Sequence, residues 1–256
     1  MTRELCTERM MQCGHDVAKI FNRAPDALVR LDKDGWLGLS GEKGTADLNM
    51  AFVARTAPSS LLEDYVKTIS GRGLDAILIV DEEAPDLVAV GEGLGLINVG
   101  GVPVMEWSGK PKPVPTHGFT ARKATKGDVR TAYEVAARAF SLDNEKVQRI
   151  GPPELLDDGI DIWLVEDNSE VVGMGEFVRT GDHVGIYVMS TPAEHQRRGI
   201  GRAVLDSAMG HYIDAGVTTF TLEATEAGYP LYEKVGFEVV ATPAVLLIGE
   251  STQFPG

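Results

Sequence analysis

Three apolar runs crowd into residues 160–191 with only a few turn residues between them. Residues 160–166 and 171–180 are joined by Asp167-Asn168-Ser169, and 183–191 follows directly on Gly181-Asp182. Asn, Asp, Ser and Gly supply the backbone conformations that tight turns need, so runs this close read as a three-strand meander. Pro192-Ala193-Glu194-His195 leads out of the third strand. A helix is expected over 199–215, burying Ile200, Val204, Leu205, Ala208, Tyr212 and Ile213 near one face and stopping at Gly216. A strand at 217–223, a short helix at 228–235 and one or two strands within 237–248 complete the segment. Ahead of the meander, 119–124 reads as a strand and Thr125 and Asp128 have capping-box spacing. A helix then runs to about Phe140, since Val129, Ala132, Tyr133, Ala136, Ala137 and Phe140 recur at intervals of three and four. The stretch around Gly151-Pro152-Pro153 is polar, with a turn and a short helix at 154–156. Strand, helix, meander, helix, strand, helix, strand is a mixed α/β layer, not a Rossmann alternation.

At 256 residues the chain has room for two domains of ordinary size. Residues 108–118 hold prolines at 111, 113 and 115, which fix φ and remove backbone donors, so a linker is expected there, between a domain at 1–110 and one at 117–256. Apolar runs such as 76–80 are far shorter than a membrane span, and Thr2-Arg3-Glu4 mixes charges where a secretory signal would not. A cytoplasmic protein that neither crosses nor binds a membrane is expected. The net charge of −14 opposes a sequence-independent hold on nucleic acid, which depends on Lys and Arg neutralising phosphates; it weakly favours a cationic substrate such as an amine. Cys6, Cys13 and the nearby His15 do not close a zinc site, so two reduced thiols on a first helix and no metal are expected.

Between the third strand and the long helix lies Gln196-Arg197-Arg198-Gly199-Ile200-Gly201-Arg202. Two glycines let backbone amides approach a ligand that side chains would block. The unpaired amides and positive dipole end of a helix start here, and Arg197, Arg198 and Arg202 add full charges, so the turn suits a pyrophosphate. A pattern this short recurs by chance, and its context decides its meaning.

That context resembles the GNAT acetyltransferase superfamily, whose coenzyme-binding motif is an Arg/Gln-x-x-Gly-x-Gly/Ala turn between its fourth strand and third helix. A second motif follows at the expected distance: Leu231-Tyr232-Glu233-Lys234-Val235-Gly236-Phe237 is similar to the Leu-Tyr-Glu-x-x-Gly-Phe signature of the family's last helix. The resemblance covers residues 118–250. It implies an acyl-coenzyme A N-acyltransferase fold, with fourth and fifth strands splayed to admit the thioester of acetyl-coenzyme A, a co-substrate. It implies that the phosphates sit on Arg197, Arg198, Gly199, Ile200, Gly201 and Arg202, and that the backbone of Met189, Ser190 and Thr191 holds the pantetheine arm. Tyr232 is the implied acid for the departing thiolate; its alternative reading is a core aromatic. Many relatives carry Asn seven residues before that tyrosine, where this chain has Thr225. The acidic candidates for a general base are Glu176 and Glu223, on strands whose facing the sequence does not fix; each also reads as a structural or solvated carboxylate, and a water chain is the third option. Direct transfer of acetyl to a primary amine in a ternary complex is expected. The acceptor, small-molecule or peptide, stays open among polyamines, aminoglycosides, amino acids and protein N-termini, as does the choice of monomer or homodimer. A non-catalytic acyl-coenzyme A sensor, an interaction protein on a dead fold and a transferase of longer acyl groups are the rival readings.

The first half repeats the second in outline. Helix 61–73, strand 74–80, a turn at 93–96 and Pro103 correspond to helix 203–216, strand 217–223, Val235-Gly236-Phe237 and Pro243, about 140 to 143 positions later. The first copy lacks the glycine turn and the tyrosine, so it reads as a degenerate GNAT-like domain, and one coenzyme per chain is expected. The glycine clusters at 38–45 and 91–95 match neither a phosphate loop nor a dinucleotide loop and read as turns.

Overall fold

The computed structural model describes residues 2–109 and 118–249, so residues 110–117 of the expected linker lie outside the described residues. The first unit opens with α1 (Thr2–Phe21), followed by an antiparallel meander of β1 (Leu28–Asp32), β2 (Gly35–Leu39) and β3 (Asn49–Val53). Helix α1 packs on β2 closely enough that Gly14 and Gly38 have no room for a Cβ, against Trp36 and Val17 respectively. Trp36 Nε1 donates to Met10 O at 2.7 Å. Cys6 and Cys13 are buried on α1, whereas His15 is exposed. Helix α2 (Ser59–Gly71), which buries Leu62, Tyr65 and Ile69, carries the chain to β4 (Ala76–Val80), parallel to β3; α3 (Pro85–Gly93) and β5 (Ile97–Gly101) follow.

The second sheet and its helices comprise β6 (Val104–Trp107), β7 (Ala121–Lys123), α4 (Val129–Phe140), α5 (Asn144–Ile150), β8 (Ile160–Asp167), β9 (Glu170–Thr180), β10 (His183–Ser190), α6 (Ile200–Asp214), β11 (Thr219–Glu223), α7 (Tyr229–Val235) and β12 (Glu238–Ala241). The expected capping box is present, with Thr125 N donating to Asp128 Oδ2 at 2.7 Å. Asn168 and Ser169, at φ 50 and 69, form the two-residue turn between β8 and β9, and Gly181 at φ 66 opens the next. The sheet runs β12-β6-β11-β10-β9-β8-β7. Neighbours on β9 face opposite helices: a Cβ on Gly175 would meet Val204 of α6 at 3.1 Å, while Glu176 bonds Tyr133 of α4. No helix among the described residues is long and apolar enough to cross a membrane.

The last strand, β13 (Ala244–Ile248), does not join this sheet. It enters the first one, antiparallel to both β4 and β5, giving the order β1-β2-β3-β4-β13-β5. Conversely β6, from the first half of the sequence, lies next to β11 in the second sheet. The exchange happens at two short proline connections, Val102-Pro103 and Thr242-Pro243, where consecutive strands part for different sheets. A proline has no N–H to continue a ladder, which ends each pairing at that point. Val102 N donates to Pro243 O at 3.1 Å, and Gly101 has little room for a Cβ beside Thr242.

The compact units therefore differ from the segments 1–110 and 117–256 expected from sequence: one is Met1–Val104 with Val239–Gly256, the other Met105–Glu238. Within the repeat, α2, β4, α3, β5 and β6 correspond in order to α6, β11, α7, β12 and β13. Three local readings change. The stretch 144–150 is a helix, N-capped by the Asp143 carboxylate at 3.1 Å from Lys146 N. Gly38 lies inside β2 rather than in a turn, and Gly91 and Gly93 lie in α3, leaving Gly95 at φ 91 as the turn.

Candidate functional site

Strands β10 and β11 pair in parallel only at His183↔Thr219, Val184↔Phe220 and Gly185↔Thr221. Beyond Gly185, β10 keeps its bonds to β9 but has no β11 partner. A bulge between Tyr187 and Ser190, with Val188 at φ 50, turns the strand at that point. Two neighbouring strands thus part in mid-sheet, and residues 186–190 present backbone donors and acceptors to the opening. Met189 and Thr191 are half-buried, and Ser190 is buried with its hydroxyl donating to Val188 O at 2.8 Å. All three occupy the stretch that the resemblance assigned to the pantetheine arm.

At the end of β10 the chain turns into α6. Gly199 is the N-cap, at φ 88 and with no side-chain cap, so the first amides of the helix, from Ile200, Gly201 and Arg202, have no intrahelical acceptor. Gln196 Nε2 donates to Thr191 O at 3.1 Å and ties the turn to the strand. The three arginines are not alike. Arg198 bonds Asp167 Oδ2 at 2.6 Å, approaches His195 Nδ1 at 3.2 Å and lies 5.3 Å over the Phe119 ring. Arg202 bonds both Asp206 oxygens at 2.8 and 2.9 Å. Arg197, at φ 59, is exposed and has no charged or hydrogen-bonding partner among the described residues. Charge for an anionic ligand therefore rests on the helix amides and Arg197, with the other two guanidiniums already neutralised by carboxylates.

Tyr232 projects from α7 into the core, edge-on to Phe237 at 5.9 Å, with its ring so close beneath Gly228 that a Cβ there would lie 2.9 Å from Cε2. Burial pushes its phenol above the ordinary range. The hydroxyl has no partner among the described residues, and a phenol so placed stays protonated and can donate to an incoming atom. Thr225 is committed locally: its Oγ1 accepts from Gly228 N at 3.1 Å and its carbonyl from Tyr229 N at 2.9 Å, which starts α7. Glu223 ends β11 two residues past the last β10 pair and is half-buried. Glu176 is fully buried, bonded to Tyr133, and desolvation pushes its carboxyl up to about 7, with the Tyr133 bond opposing. The structure thus separates the two acidic candidates into a strand-end residue and a core residue. Tyr133, which the sequence marked only as part of an apolar helix face, is the partner that sequence reading missed.

The corresponding place in the first unit is shut. Strands β3 and β4 pair at Met50↔Ile77, Ala51↔Leu78, Phe52↔Ile79 and Val53↔Val80, and Asp81 N continues to Val53 O at 3.0 Å. Helix α2 starts at Pro58 without a glycine turn. The Asp81 carboxylate accepts from Thr7 Oγ1 and, at 3.3 Å, from Arg55 N, placing negative charge where an anion would have to bind.

A meander whose last strand parts from its parallel neighbour, with an uncapped glycine-led helix at the mouth and a tyrosine-bearing helix after it, defines an acyl-coenzyme A N-acyltransferase fold. Residues 158–239 match the family model described as Acetyltransferase (GNAT) domain, so the C-terminal half of this chain carries a GNAT acetyltransferase domain. The fold is similar over nearly the whole length to a GCN5-related N-acetyltransferase from Kribbella flavida, at 18% identity, 94% of this chain and 96% of that one, with TM-score 0.67. A GCN5-related N-acetyltransferase from Sphaerobacter thermophilus gives 18%, 94%, 96% and 0.62. A functionally unknown conserved protein from Staphylococcus epidermidis gives 13%, 87%, 94% and 0.59. No curated protein matches the chain.

Proposed function

We propose that the protein moves an acetyl group from acetyl-coenzyme A to a primary amine of a small molecule or peptide by direct transfer. The observation that carries this reading is the parting of β10 from β11 beside the uncapped start of α6, set against the closed β3/β4 pair of the first unit. The α6 amides and Arg197 take the pyrophosphate, and the free edge of residues 186–190 takes the pantetheine amides as an added strand would. The neutral amine nitrogen attacks the thioester carbonyl carbon, the carbon–sulfur bond breaks, the nitrogen gives up one proton to solvent as the amide forms, and the sulfur receives a hydrogen bond and then a proton from Tyr232, which regains one from solvent. Because burial holds that phenol above its ordinary range, transfer to sulfur comes late and the hydrogen bond does much of the stabilising.

Calorimetry with acetyl-coenzyme A is expected to give one site per chain, and mass detection over an amine panel to show an acetylated product. Two sites would sink the reading of the first unit, and one site with no product would favour a sensor. Tyr232→Phe is expected to lower kcat by about 10²-fold with coenzyme affinity within about twofold; a wild-type rate would remove the acid role. Gly199→Val forces a β-branched residue to φ 88 and is expected to weaken acetyl-coenzyme A binding by about tenfold or more. Arg197→Ala is expected to weaken it by several-fold in a salt-dependent way, and Arg198→Ala by less; the reverse order would show that Arg198 leaves Asp167 to bind phosphate.

A further inference from the structure

The first sheet ends in an open strand. β5 is its outer member, paired on one side with β13 through Ile97↔Leu247, Asn98↔Leu246 and Gly101↔Ala244, and with no strand on its other side among the described residues. All five of its residues are exposed. Ile97 is 55% and Val99 43% exposed, and Leu94, the C-cap of α3, is 46% exposed. Three of the five exposed large apolar side chains among the described residues therefore fall in one short stretch. Ile97 and Val99 share a face by strand alternation. Asn98, on the other face, is tied down: its Nδ2 donates to Glu92 Oε1 at 3.1 Å and its Oδ1 accepts from Gly100 N at 3.0 Å. A free edge invites pairing with another chain, and charged side chains are the usual guard. The other three outer strands have them: Arg30 and Asp32 on β1, Arg122 and Lys123 on β7, Glu238 on β12. β5 has none, and residues 93–105 contain no Asp, Glu, Lys or Arg in a chain whose net charge is −14.

That pattern selects the occupant. A basic partner gains nothing from a strand without carboxylates and is drawn instead to the acidic surface elsewhere. A second copy is repelled by that acidic surface, and at this edge it meets a strand as uncharged and apolar as its own. We infer that β5 is where two copies of this chain join, antiparallel about a two-fold axis near Val99. A two-fold across a strand edge reverses the strand direction, so the self-complementary arrangement is the antiparallel one. The two six-stranded first sheets then run on as one, with Ile97 and Val99 of both copies gathered on a single face. One short strand a side, with Leu94 beside it, makes a contact smaller than the about 1,600 Å² of a standard interface, so this dimer dissociates on dilution. The inference does not depend on the acetyl-transfer reading, because β5 belongs to the unit whose corresponding site is shut.

Sedimentation equilibrium of the full chain over a range of about 1 to 200 µM tests it. Wild type is expected to pass from monomer to dimer within that range. Val99→Glu and Val99→Lys, at an exposed position, are each expected to raise the dissociation constant by about tenfold or more, because each sets like charges across the axis. An equimolar mixture of the two variants is expected to recover a dimer, since Glu then faces Lys. Far-UV circular dichroism of each variant checks that it folds. A wild type that stays monomeric at about 200 µM leaves the edge to some other occupant and overturns the proposal. So does a dimer that both variants keep, or a mixture that associates no more tightly than either variant alone. Should a variant misfold, amide hydrogen exchange in wild type at the two ends of the concentration range decides. Slower exchange at residues 96–100 in the concentrated sample supports the β5 contact, and exchange there that is independent of concentration overturns it.

Discussion

A fragment of residues 118–256 is expected to be unfolded or aggregated, while residues 102–243 fold and melt cooperatively. The first fragment looks like the whole acetyltransferase domain in sequence, but it lacks β6, which sits between β11 and β12. It loses the buried Met105 and Trp107, the latter edge-on to Phe220 at 5.6 Å. At about 1.5–3 kcal/mol for each buried side chain, together with the ladder bonds on both sides of β6, the loss is of the order of a domain's entire stability. The same fragment keeps β13, whose Leu246 and Ile248 belong to the apolar core of the first unit and whose ladder partners are β4 and β5, so an apolar strand is left without a sheet. The second fragment restores β6 and ends before β13. Far-UV circular dichroism and gel filtration of the two pieces check this; a cooperative melt from 118–256 as high as that from 102–243 would contradict the assigned sheet order.

Glu176→Gln is expected to stabilise the folded protein by roughly 2–3 kcal/mol at pH 8 and by little at pH 4. The folded state binds a proton on Glu176 more tightly than the unfolded chain does, because desolvation raises the carboxyl from 4.5 to about 7. The stability this proton binding contributes is fully present below the unfolded value and is lost as pH rises through about 7, beyond which the fold carries a buried charge. Glutamine keeps an oxygen for the Tyr133 hydroxyl and removes the charge, so its curve of stability against pH should be flatter over that window. Urea unfolding at pH 4, 6 and 8 measures the difference; parallel curves for the two proteins would show that Glu176 ionises as freely as a surface glutamate.

Much of the second unit is legible locally. The β8–β9–β10 hairpins announce themselves by two-residue turns, α6 by its glycine entry, and α4 by the Thr125–Asp128 box, because each depends on a handful of adjacent residues. The strand exchange is not legible, since the choice of sheet by β6 and β13 depends on which distant edges are vacant; Pro103 and Pro243 mark the crossings without naming the destinations. The facing of Glu176 is hidden for a different reason. Strand β9 is buried on both faces through its middle, so the alternation that would tell Glu176 from Phe177 is erased. The Arg202–Asp206 pair was readable as an i,i+4 contact, whereas Arg198–Asp167 joins two loops that only the meander brings together.

The place of β13 also governs how the molecule can be made. It is an interior strand of the first sheet, with Val80 pairing to Ala244, yet in translation it follows every strand of the second sheet. Ordinary tandem proteins finish their N-terminal domain while the rest is still being translated. Here the nascent first sheet must wait with β4 and β5 unjoined until residue 248 has emerged, so a ribosome that stalls between β5 and β13 displays two open strand edges to solvent or to a chaperone. Synthesis from the front therefore delivers every strand of the second sheet before the one that closes the first.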